Sequence, residues 1–164
     1  VVANIPYYLT SKLIRILGEL VNKPEIIVLL VQKEVAERVC AGPGQMSLLS
    51  IWSQVNFVCE LGVIVEAANF SPPPKVDSQV VIMRKREKSL NTAINQKLLS
   101  RVLKTSFSNK RKTLVNSLSS GLGKSKDEVT GILNELSINP MARPQELSID
   151  QWLQLAKISE DILQ

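Results

Sequence analysis

The spacing of apolar residues changes character near residue 85, from runs and alternations before it to helical stripes after it. Val1-Val2-Ala3 is a short apolar run ending at Asn4, the pattern of a buried strand's lip. Leu13, Ile14, Leu17, Leu20 and Val21 then recur at helical spacing, which predicts a helix capped by Thr10 or Ser11 and stopped by Pro24. Glu25 to Gln32 is a near-continuous β-branched and leucine run, as expected of a strand buried on both faces of a parallel sheet. Strand, helix and strand together make a βαβ unit.

Lys33 to Cys40 reads as a short helix with Val35, Ala36 and Val39 inward, ended by Ala41-Gly42-Pro43-Gly44. Leu48, Leu49, Trp52 and Val55 form the next stripe, simplest as core packing, with base stacking by Trp52 as the sharper alternative. Phe57 to Val65 and Gln79 to Met83 read as strands on either side of a proline-rich loop, with the sheet ending near Arg84. Arg84-Lys85-Arg86-Glu87-Lys88 is a charge-dense hinge, which divides the chain into 1–88 and a helical part, 89–164. There the stripes are Ile94, Leu98, Leu99, Val102 and Leu103, then Leu114, Val115 and Leu118. Ser125-x-x-Glu128 and Ser148-x-x-Gln151 are capping-box signals for two more helices, the first carrying Val129, Ile132, Leu133 and Leu136 and the second Trp152, Leu155, Ala156, Ile162 and Leu163. A bundle of about four helices follows. Gly121-Leu122-Gly123-Lys124-Ser125 is close to the end of a nucleotide P-loop, but Leu118 occupies the position of the required first glycine. Helix termination by Gly121 and Gly123 explains the segment instead.

Composition narrows the chemistry. With 45% apolar residues the 164-residue chain can bury a sizeable core, and it has no histidine, which removes histidine-based triads and most mixed zinc sites. Cys40 and Cys59 are far apart in sequence and lack metal or redox spacing, so reduced, buried thiols are expected and no metal. The longest apolar run, Ile26 to Val31, is too short to span a bilayer, and no membrane partner is expected. The net charge of +5 is unevenly spread: residues 1–83 carry 6 basic and 7 acidic side chains, residues 84–164 carry 14 and 8. No acidic residue stands between Lys88 and Lys126. That asymmetry favours a polyanion partner for the second half over a merely solvated basic face.

Two stretches carry candidate chemistry. In Asn4-Ile5-Pro6-Tyr7-Tyr8, the Asn4 amide oxygen and the Ile5 carbonyl can accept the two hydrogens of an exocyclic amine. Tyr7 offers a stacking face, and Pro6 fixes the turn without adding a donor. Such a grip would turn the lone pair of an adenine N6 out of conjugation and toward an electrophile, a methyl-transfer geometry. Phe70-Ser71-Pro72-Pro73-Pro74-Lys75-Val76-Asp77-Ser78 is a stiff loop that can pre-place Phe70 and Lys75 at little entropic cost.

Together these stretches resemble the rRNA adenine N6-dimethyltransferase family of the KsgA type, with its Asn-Leu-Pro-Tyr motif and its Phe-x-Pro-x-Pro-Lys-Val-Asp-Ser segment. Gln32 to Arg38, Phe107 to Leu118 and Arg143-Pro144-Gln145-Glu146-Leu147-Ser148 also resemble stretches of that family, so the likeness covers essentially the whole chain. Met46-Ser47 stands where the family has Tyr-Gly, and Asn109-Lys110-Arg111-Lys112 where it has Gln-Arg-Arg-Lys.

The resemblance implies an α/β fold, the C-terminal half of a class I Rossmann-like methyltransferase sheet, followed by a small all-helical domain. It implies dimethylation of adenosine N6 in small-subunit ribosomal RNA during ribosome biogenesis, with S-adenosyl-L-methionine as cofactor. Asn4, Ile5, Pro6, Tyr7 and Phe70 would be the catalytic set, Asn4 also lining the cofactor pocket. Lys75, Arg101, Lys104, Lys110, Arg111 and Lys112 would contact RNA. The partner would be ribosomal RNA or the small-subunit precursor, and the protein a cytoplasmic monomer. In the family the glycine-rich loop and acidic residue that hold the cofactor lie upstream of Asn-Leu-Pro-Tyr, so these 164 residues read as a fragment inactive on its own. The rival functions are a non-catalytic RNA-binding assembly factor and a DNA adenine N6-methyltransferase. Ile5, where DNA enzymes usually carry proline, disfavours the latter.

Overall fold

Four strands form one mixed sheet in the order β1-β2-β4-β3: β1 (Val2–Asn4), β2 (Ile26–Gln32), β3 (Phe57–Val65) and β4 (Ser78–Lys85). β1 and β2 run parallel, whereas β4 lies antiparallel to both β2 and β3. The computed structural model describes residues 1–87, 96–109 and 111–162. Two units are distinguished, Val1–Ala41 with Leu49–Ser89, and Gly42–Leu48 with Leu90–Gln164.

In the first unit α1 (Thr10–Glu19), α2 (Lys33–Val39) and α3 (Leu48–Asn56) accompany the sheet. Ile14 and Leu17 of α1, Ala36 and Val39 of α2, Ile27, Leu29 and Val31 of β2, Phe57 of β3 and Val81 and Met83 of β4 share one core. Each of these side chains larger than alanine contributes roughly 1.5–3 kcal/mol by leaving water.

Several expectations change here. Neither Thr10 nor Ser11 caps α1, because a 3-10 turn at Tyr7–Leu9, closed by the Leu9 N–H on the Pro6 carbonyl at 2.9 Å, feeds straight into the helix. Thr10 is instead its first residue, buried, with Oγ1 unpartnered among the described residues. α1 ends at Glu19, five residues before Pro24, since Leu20 is already extended; Leu20 and Val21 leave the stripe, Val21 being 97% exposed. β2 is fully buried at Ile27, Leu29 and Val31 only, while Val28 and Leu30 on its other face are half-buried. On α3 the buried positions are Ile51 and Val55 with Ser50, Ser53 and Asn56, and Leu48 is 40% exposed. The helix is apolar around most of its girth, so two stripes overlap, and the small serines turn the second one inward. Ser53 Oγ and Asn56 Nδ2 satisfy themselves on the Leu49 and Trp52 carbonyls, at 2.7 and 2.8 Å. Trp52 is half-buried, its Nε1 unpartnered among the described residues.

The second unit contains α4 (Gln96–Phe107), α5 (Leu114–Leu122), α6 (Lys126–Glu135) and α7 (Ile149–Ile162). Leu99, Val102 and Leu103, Leu114 and Leu118, Val129 and Leu133, and Trp152, Leu155 and Ala156 are buried, as the stripes require. Ile94 and Leu163 lie outside the described residues. Phe107 and Trp152 pack with ring centroids 5.7 Å apart. Both capping boxes form: Ser125 Oγ accepts from the Glu128 N–H at 3.2 Å while Glu128 accepts from the Ser125 N–H at 2.8 Å. Ser148 and Gln151 exchange the same pair of bonds, at 3.2 and 3.0 Å. The segment 42–48 is tied to the helices because the Gln145 carbonyl accepts from the Gly44 and Met46 N–H groups, at 2.8 and 3.2 Å.

Gly123 ends α5 at φ +69, but Gly121 is no terminator. It lies within α5 where a Cβ would sit 2.1 Å from Thr105 Cγ2 of α4, so its missing side chain is what lets the two helices approach. Gly121→Ala should therefore lower the unfolding free energy by about 1–3 kcal/mol, with most of the loss recovered in Gly121→Ala/Thr105→Ala. Urea titration of the single and double variants checks this.

Both cysteines are free and half-buried against the sheet core. Burial, together with Cys40, pushes the Cys59 thiol up to about 12, with Arg86 opposing. Because the folded chain holds this proton more tightly than the unfolded chain, its contribution is intact below pH 9.0 and is lost as pH rises toward 12. Stability measured across that window should fall less steeply in Cys59→Ala than in the parent chain.

Candidate functional site

The site is built where β1 stops. Asn4 is the last paired residue, opposite Leu30, and Ile5-Pro6 carries the chain off the sheet, with Pro6 at φ −54 and ψ 134. Pro6 then opens the turn that sets Tyr7 beside β4, where its hydroxyl meets Ser78 Oγ at 2.7 Å.

The opposite wall is the loop between β3 and β4. A short 3-10 turn at Ala67–Asn69 precedes Phe70, and the Ser71–Pro72 peptide is cis. Asp77 closes the loop on itself, Oδ1 accepting from the Ala67 N–H at 3.0 Å. Its carbonyl accepts from the Lys33 N–H, also at 3.0 Å, tying the loop to the start of α2. Phe70, Pro72 and Pro74 thereby face Asn4, Ile5, Pro6 and Tyr7 across an open cleft of about 350 Å³.

The five residues expected to act on a base thus line one cleft. Asn4 is solvent-exposed, and neither its carboxamide nor the Ile5 carbonyl is engaged by a donor among the described residues. Two acceptors and two aromatic rings are on offer. Among the described residues no carboxylate, amine or thiol belongs to the lining and the Tyr7 phenol is engaged by Ser78, so the cleft can orient and stack a planar group rather than exchange protons with it.

The basic residues are not part of this lining. Lys75 is exposed and follows the lining residue Pro74 without lining the cleft itself. Arg101 and Lys104 are exposed on α4, three residues apart and so on one face. Arg111 and Lys112 are exposed in the turn after α4, which Asn109 organises by accepting the Arg111 N–H on Oδ1 at 3.2 Å and the Lys112 N–H on its carbonyl at 3.0 Å. Lys110 lies outside the described residues. Among the described residues none of these five cations is paired with a carboxylate. Sequence reasoning missed the roles of Asp77 and Ser78. The available signal was a polar pair directly before an apolar strand.

The model of the ribosomal RNA adenine dimethylase family matches residues 1–161. The chain belongs to that family. Relatives named ribosomal RNA small subunit methyltransferase A are similar to it: one from Rippkaea orientalis is 41% identical over 99% of this chain and 61% of its own length. The Nostoc punctiforme protein is 44% identical over 95% and 56%, and the Dehalococcoides mccartyi protein 36% identical over 96% and 54%. The chain thus spans between about half and three-fifths of these relatives. A dimethyladenosine transferase from Plasmodium falciparum superposes on 98% of this chain and 66% of its own, with a TM-score of 0.84 at 28% identity. The 23S rRNA methyltransferase ErmE shares the fold, with a TM-score of 0.69 at 24% identity over 95% of this chain and 63% of its own. As a member of the dimethylase family the chain has the Rossmann-like methyltransferase architecture with a helical part.

Proposed function

We propose that this chain carries the base-gripping part of an enzyme that dimethylates N6 of adenosines in small-subunit ribosomal RNA, with S-adenosyl-L-methionine as methyl donor and a role in ribosome biogenesis. One observation carries the proposal: Asn4, Ile5, Pro6 and Tyr7 face Phe70 across a single cleft whose two acceptors are open. An adenine N6 is a poor nucleophile because its lone pair is delocalised into the ring. Asn4 Oδ1 and the Ile5 carbonyl accept its two hydrogens and hold the amine turned, while Tyr7 and Phe70 stack on an extruded base. A side-chain base is not needed, since an alkylated amine is cationic and sheds its proton readily. Asn4 is neutral and accepts one hydrogen as well as two, which tolerates the monomethylated intermediate.

Arg101, Lys104, Arg111 and Lys112, with Lys75 and Lys110, supply phosphate contacts that give salt-dependent affinity without sequence choice. Selectivity then comes from the fold of the RNA. In this reading the protein acts on ribosomal RNA as a cytoplasmic monomer.

The cleft does not fit the whole methyl donor. Among the described residues its lining has one carboxamide and neither a carboxylate nor a glycine, so beyond Asn4 nothing in it would hold the ribose or the amino-acid end. Calorimetric titration of the 164 residues with S-adenosyl-L-methionine should show no saturable binding tighter than about 1 mM. Micromolar affinity would contradict this.

The grip itself can be tested without the donor. An oligoribonucleotide with one unpaired adenosine should bind about tenfold more tightly than the same strand with purine, which lacks the amine, and Asn4→Ala should shrink the difference. Equal affinity of the parent chain for both strands would sink the proposal.

A further inference from the structure

Ser78 occupies a position that the strand pattern would fill with an apolar residue. It is 0% exposed, opens β4, and is paired through its backbone to Gln32 on one side and Val65 on the other. A hydroxyl left without a partner in such a place is destabilising, because burial removes it from water. Its partner is the Tyr7 hydroxyl, 2.7 Å away and 71 residues distant in sequence. The adjacent residue, Asp77, fixes the loop that carries Phe70 through the Ala67 and Lys33 N–H groups. One dipeptide at the entry to a central strand therefore references both aromatic walls of the cleft.

We propose that Ser78 is a positioning residue: its hydroxyl holds the Tyr7 side chain in a single orientation, so that the ring faces a base while the phenol oxygen is engaged at the sheet. This rests on the cleft being a base-gripping site. Tyr7 is then a stacking surface and not a proton donor to substrate. A hydrogen bond at the para position constrains the direction of the Cα–Cβ–ring arm, which sets χ1, and leaves rotation about the ring axis free.

The test uses the whole chain. Three-bond couplings that report χ1 of Tyr7 should indicate one rotamer in the parent protein and averaging in Ser78→Ala; the same averaging is expected at position 7 in Tyr7→Phe. At saturating concentrations of an oligoribonucleotide carrying an unpaired 2-aminopurine, stacking should quench its fluorescence about threefold less in either variant than in the parent. The double variant should lose no more than either single one, because both remove the same bond. Unchanged couplings in Ser78→Ala, or additive losses of quenching, would overturn the positioning role. If the parent protein quenches nothing while its couplings respond as expected, the anchor stands and the base-gripping function falls.

Discussion

The direction of β4 is the constraint on which the cleft depends. Because β1 and β2 run parallel and β4 enters antiparallel between β2 and β3, β3 also shares the direction of β1. The loop from β3 to β4 must therefore emerge at the same end of the sheet as the lip of β1. Register makes this specific: Asn4 pairs with Leu30, which pairs with Val80, while Ser78 opens β4 two residues earlier. Phe70 and Tyr7 are brought together by strand order, not by proximity in sequence. Ligand sites of open α/β sheets form at this carboxyl end of the parallel strands for the same reason.

Much of this was legible beforehand, and the reasons are physical. The limits of β3, the two capping boxes and the helical stripes of the second unit each follow from a strong local signal, either alternation or a reciprocal side-chain bond. The pairing of the two candidate motifs in one site came from resemblance, since nothing local in Asn4 to Tyr7 points to a loop more than sixty residues away.

Other features were hidden because they belong to packing. A glycine near a helix end reads as a terminator, yet Gly121 is set by the approach of Thr105 from another helix. Thr10 looks like a cap until Pro6 starts the turn earlier. On α3, apolar residues on several faces leave periodicity without a unique answer, and the serines that decide the matter are the residues a hydrophobic count ignores. Ser78 is of the same kind, a polar residue buried because its partner is remote.

The bonds from Gly44 and Met46 to the Gln145 carbonyl bear on how this molecule could be recombined. They stitch the stretch Gly42–Leu48 into the bundle although it is encoded between two elements of the sheet. Swapping the helical half with that of a cousin by one crossover after the last strand would strand the donor's bundle beside a foreign ribbon. A faithful graft needs two exchanged pieces, one of them short.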